Sequence, residues 1–505
     1  MATSGFSVGD SLAGLIVDGV DETPYVAGTL SYEERRGIRL TIPFIHSYSP
    51  NQFDAVKKWF REGSVPPNLL LITDKGTFSL YGCRNAGSSI RGGSGLSTGY
   101  VAPSEVVYTG RDGDFEDALT VSEMRSQIDG LKEWTGFSAA KLTFVADDRN
   151  RAKKVTVDVE SGDSLTWRQG AATMTLSLHW ETDQPEPGFR VREWVCLTTS
   201  FADPRPCSEH LAEQRKMIAL LTLMFGNPVR FRRHEIRDSR FNSKVLTGKI
   251  VDVPFFEVVV EETASDFSRP LPEGRKLRQP LVTASEVKPE SLQRWAEQYS
   301  KWSRVIQPTV GTITRTESYV EDHVVNSSMS LEAAGHLIGK VTGEKETYSP
   351  WGKKTTATYV FRCLAAIGLD WSEAAESVVG LAKAVANNYN GIKHFDRGEF
   401  PPTEHTYLIS RVAVLIVRLL AVGRLDPSLE LVNRCGERGQ FTELKREFKE
   451  RNLYVNAEGK FGEYPAEETP SEGIQGDAEK GMEDVTEADP EEARNYEEPQ
   501  PVPTA

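Results

Sequence analysis

The 505-residue chain is 39% hydrophobic and 9% aromatic, enough for two or three cored domains at roughly 100–200 residues each. Its longest apolar run, Val412–Leu420, contains Arg418 and falls short of the about 20 residues a membrane span needs. The opening MATSGFSVGD has neither region of a secretory signal, so no membrane association and a cytoplasmic location are expected. The net charge of −14 is a local property: from Asn456 onward 15 acidic residues face 3 basic ones, a net −12, which leaves −2 for residues 1–455 and does not exclude a polyanion such as RNA.

In chain order, residues 1–200 read mostly as strands. Gly28–Tyr32 and Ile38–Ile42 alternate apolar and polar residues around Arg36-Gly37, and Leu69–Thr73 and Thr77–Tyr81 flank the turn signal Asp74-Lys75-Gly76. Further strands are expected at Val106–Thr109, Lys141–Val145, Lys154–Val159, Met174–Trp180 and Val191–Thr199. A helix spans Ser208–Phe225, with Leu211, Ile218, Leu221 and Met224 at helical spacing and a stop at Gly226, and a hairpin-like stretch covers Val245–Val260. Residues 266–289, with Pro270, Pro272, Pro280 and Pro289, have the composition of a linker.

Beyond it the period becomes helical, with helices expected near 290–306, 317–340, 356–368, 371–392, 404–422 and 428–451 and a loop over 341–354. Thr403 is a candidate N-cap, and the unbroken apolarity after Val412 places the fifth of these helices at the centre of the bundle. The segment 456–505, rich in Glu and Pro, is expected to be disordered because it has too little apolar surface to offset ordering entropy. The fold class is therefore α+β: a β-rich domain over 1–265 with one or two helices, a linker over 266–289, an all-α bundle over 290–452 and an acidic tail over 456–505.

Cys83, Cys196, Cys207, Cys363 and Cys435 are scattered without a CxxC or a Cys/His cluster, which points to reduced buried thiols, with no metal and no cofactor expected. Arg91-Gly92-Gly93-Ser94-Gly95 lacks the GK[ST] ending of a phosphate loop and reads as a plain loop. Arg230, Arg232 and Arg233, followed by Arg237, Arg240 and Lys244 and interleaved with Phe231 and Phe241, combine guanidinium groups with aromatics, as nucleic-acid contacts do. Glu235 and Asp238 inside the run favour the plainer reading of a solvated strand face.

The order of pieces in the first half carries a resemblance. Gly28–Tyr32, Leu131-Lys-Glu-Trp134, Cys196–Ser200 running through Ala202-Asp-Pro204 into the 208–225 helix, and the closing Phe225-Gly-Asn-Pro-Val229 together resemble the N-terminal domain of ApeA-like antiphage proteins. The resemblance implies a following HEPN helical domain, a metal-independent endoribonuclease that works as a homodimer through that domain on RNA, with tRNA as one substrate. It also implies an Arg, a polar residue and a His about five positions after the Arg. In Tyr389-Asn390-Gly391-Ile392-Lys393-His394, Asn390 and His394 match that pattern as the catalytic candidates, and Tyr389 stands where the arginine is expected. Histidine can move protons near neutral pH, whereas tyrosine carries no positive charge there, so Lys393, Arg397 or an arginine of a second subunit must supply the cation. Tyr389 also falls on the apolar stripe Val378, Ala382, Val385, Ile392, while Asn387, Asn390 and His394 share another face. The alternative is a degenerate module that dimerises, or binds RNA or protein, without cleaving.

Overall fold

The computed structural model describes residues 6–465 apart from 21–25, 35, 47–51, 91–94, 110–116, 161, 185–187, 242, 245–249, 316, 395, 397–398 and 438. The Gly-rich run at Arg91 and the acidic segment 466–505 lie outside the described residues.

The first half is built on one fourteen-stranded antiparallel ladder, running from the hairpin Ser164–Gln169/Ala172–Asp183 at one edge to Leu96–Ala102/Arg84–Ile90 at the other. Near its middle, strand Phe256–Val260 pairs with Glu105–Val107. Side chains alternate between the two faces of a strand, and here both faces are buried. Val106 and Val259 enter a core with Leu30, Leu40, Leu71, Phe78 and Val101, while Val107 and Val258 enter a second core with Met124, Met174, Leu197 and Phe231. Four short or medium helices accompany the sheet: α1 (Asp54–Arg61), α2 (Leu131–Thr135), α3 (Cys207–Phe225) and α4 (Glu261–Phe267). The Leu131–Trp134 segment is thus a helical turn entered through Gly130 at φ +75°, with Trp134 fully buried.

The second core does not stop at the sheet. It continues through α3 into the bundle formed by α5 (Pro289–Thr314), α6 (Val320–Ile338), α7 (Thr356–Ile367), α8 (Val378–Lys393), α9 (Thr403–Leu425), α10 (Glu430–Glu437) and α11 (Gln440–Glu450). Helix α9 packs against every other bundle helix and against α3, as its all-round apolarity requires. All five cysteines are buried and none forms a disulfide with another described residue, and no helix among the described residues is long and apolar enough to cross a membrane.

Several expected boundaries differ. Residues 266–289 are not a free linker: Leu277, Val282, Ala284 and Val287 are buried, and the Trp134 indole donates to the Val282 carbonyl at 2.9 Å. Their prolines limit helix formation but leave enough apolar residues to pack. Helix α5 runs past Pro308 to Thr314 because Val310 and Ile313 are buried there, so packing outweighs the lost backbone donor. Thr403 is the first helical residue of α9 and Pro402 its cap. Helix α8 begins only at Val378, after a turn that buries Trp371, Ala374 and Ala375 and ends in a Ser377 side-chain cap. The stretch 428–451 breaks at Gly439, φ +70°. Finally, order extends beyond Asn456: Leu453–Val455 pairs with Phe461–Glu463, and Val455, fully buried, exchanges backbone bonds with Ala374 and Glu376.

Candidate functional site

Helix α8 brings the expected catalytic residues to its C-terminal end. Its core face, Leu381, Ala382, Val385 and Tyr389, is buried. His394 leaves the helix in extended geometry at φ −113° and ψ 96°, its backbone N–H still donating to the Asn390 carbonyl at 3.0 Å. His394 and Asn390 are half-buried, and the His394 ring has no hydrogen-bond partner among the described residues.

Tyr389 is 4% exposed, and the Lys393 ammonium lies 3.3 Å from its hydroxyl and 5.3 Å from its ring centroid. The place expected for an arginine is thus filled by a core ring, with a lysine cation at its solvent end. Arg397 lies outside the described residues. Asn387, expected on the same polar face, instead donates to the Gly459 carbonyl at 3.4 Å and holds the C-terminal hairpin. Gly380 lets that hairpin approach, since a Cβ there would stand 2.3 Å from the Asn456 carbonyl oxygen.

The arginine run has a different character from a free basic patch. Arg230 pairs with Asp266 at 3.2 Å and donates to the Thr314 carbonyl at 2.8 Å. Arg232 grips the buried Asp129 carboxylate with two bonds of 2.6 and 2.7 Å. Arg233 lies between Glu257 at 3.0 Å and Glu235 at 3.3 Å, and Arg237 and Arg240 pair with Glu123 and Asp238. These charges are largely spent within the fold, as the interleaved acidic residues suggest.

Arg230 and Arg232 nevertheless border a cleft of about 1140 Å³ whose other wall is made by α5, α6, α9 and α11. Eight arginine and lysine residues line it against three carboxylates, Asp129, Glu273 and Glu443. The Ser318 hydroxyl and His323 Nε2 lie 2.9 Å apart at this cleft, and burial holds His323 below its ordinary pKa, hence neutral at pH 7. Arg269, Arg315, Arg411, Arg418 and His323 come from three distant segments, so no local motif announces them. Among the described residues no group of three metal-ligating side chains is assembled.

Residues 20–245 match the family described as ApeA N-terminal domain 1. This span includes most of the sheet, all of α3 and the arginines at 230, 232 and 233. Comparison with curated proteins and with solved structures gives no match. The chain thus carries an ApeA-type N-terminal domain over residues 20–245, a domain whose family suggests antiphage defence.

Proposed function

We propose that this is an antiphage defence protein whose C-terminal bundle acts on RNA in the manner of a HEPN domain, cleaving it without a metal. His394 is the proton-transfer group, with Asn390 and Lys393 beside it. The observation carrying this reading is the end of α8, where a half-buried histidine without a protein partner follows Asn390 by one helical turn, with an ammonium group on the intervening residue Lys393. In such a site the imidazole would take the 2′-hydroxyl proton or return one to the leaving oxygen. A lysine would offset part of the charge that builds on phosphorus, as a point charge rather than a bidentate clamp. Pairing of two bundles in a homodimer would add the second copy's cations.

The burial of Tyr389 favours a second reading, in which the bundle binds RNA or a protein without cutting it. Comparing wild type with His394→Ala on purified RNA in the presence of a chelator separates the two. Cleavage lost in the variant supports the nuclease, and absence of cleavage in both supports the binding module.

A further inference from the structure

We propose that the arginine-lined cleft between the sheet and the bundle binds a nucleotide phosphate, either as a free nucleotide or within an RNA strand, at a site separate from His394. Two independent observations lead to this. The first is an uncompensated buried charge. Arg418, 5% exposed, donates to the Leu223 and Met224 carbonyls and to Gln440, and no carboxylate pairs with it among the described residues. The negative end of the α3 dipole offsets only part of a guanidinium charge, which arginine retains at neutral pH. The second is the surplus at the rim. Arg269 and Arg315, both exposed, make no ion pair among the described residues, although the cleft they border already contains more cations than carboxylates.

The shape and composition select the ligand class. A single inorganic anion would need neither about 1140 Å³ nor a wall of Ile313, Val414 and Leu444 beside Tyr407. Ligand pockets of about 300–1,000 Å³ with an apolar wall and a few convergent polar groups suit a molecule with a flat apolar part and a charged part. All but one of the lining cations are arginines, whose planar fork matches phosphate oxygens in pairs, and aromatic and aliphatic surfaces accept a base without reading its sequence. Because Arg230 and Arg232 come from the sheet and Arg315 and Arg418 from the bundle, a bound phosphate would tie the two halves together.

The test is binding by the full chain of two probes, ATP by calorimetry and a fluorescein-labelled single-stranded RNA by anisotropy. At least one should bind, with affinity falling as salt rises, and the probe that binds identifies the source of the phosphate. The double variant Arg269→Ala/Arg315→Ala, which removes only exposed side chains, should keep the wild-type melting temperature and lose at least about tenfold in affinity. His394→Ala should bind as wild type. The proposal is overturned if neither probe binds at low salt, if the double variant binds as tightly as wild type, or if poly-glutamate competes as well as the bound probe does.

Discussion

The guanidinium of Arg418 occupies the space that a side chain at Gly226 would fill: a Cβ there would stand 2.6 Å from Nη1. Gly226 ends α3 at φ +67°, and Arg418 donates to the last carbonyls of that helix, so one residue of the bundle completes the end of a helix in the sheet half. Gly226→Ala therefore meets both a disfavoured backbone conformation and a clash with a buried side chain. It should cost about 1–3 kcal/mol. Urea unfolding monitored by tryptophan fluorescence should give one transition at a lower midpoint, because the two halves share a core. An unchanged midpoint would contradict this packing.

Acid should destabilise the protein in two stages. Burial pushes His234 down to about 3 from 6.5, with Ser126 and Thr263 hydroxyls on its ring nitrogens. Its folded pKa lies below the unfolded one, so its contribution is full above pH 6.5 and declines as pH falls toward 3. His210, also held low by burial, acts in the same direction. Glu344, hydrogen-bonded by Arg362, is lowered to about 2 from 4.5, so its contribution is full above pH 4.5 and is lost as pH falls toward 2. In urea midpoints measured from pH 8 to 3, wild type should lose stability relative to His234→Gln progressively from pH 6.5 toward 3, while the loss from Glu344 should set in below pH 4.5 in both chains.

Two truncations should behave oppositely. A chain ending at Pro465 loses a segment whose composition offers little to a core and should keep its melting temperature within a few degrees. A chain ending at Asn452 also loses Val455 and Phe461, which pack in the core and against His405 and Phe448. It should melt many degrees lower, by roughly 2–4 kcal/mol of lost burial. Differential scanning calorimetry decides both, and equal losses in the two chains would contradict the hairpin's role.

Self-association belongs to the proposed nuclease. Light scattering on the full chain should give twice the monomer mass at micromolar concentration, and a strict monomer that still cleaves RNA would show that one copy supplies every group. The isolated bundle is a poor test, because Leu220, Leu221 and Met224 of α3 belong to the same core as α9.

Much of this architecture is legible locally. Alternation around Asp74-Lys75-Gly76, the apolar spacing before Gly226 and the change of period after residue 289 mark real elements. The stripe containing Tyr389 correctly marks a buried residue. What local pattern cannot carry is long-range compensation. The prolines of 266–289 read as a spacer, yet Leu277 and Val282 are buried by partners far away in the chain. Arg230 to Arg237 read as a basic strand, yet their carboxylates come from Glu123, Asp129, Glu257 and Asp266 as well as from nearby Glu235. The cleft is illegible for the same reason, since Arg269, Arg315 and Arg418 meet only through the packing of both halves.

The proposed RNA chemistry of His394 at the end of α8 is tested most directly by cleavage of labelled tRNA under single-turnover conditions with excess chelator. Wild type should yield cut fragments, and His394→Ala should lose at least about a hundredfold in rate, the scale of one proton-transfer group, with an unchanged melting temperature. Undiminished cleavage by His394→Ala would contradict the account.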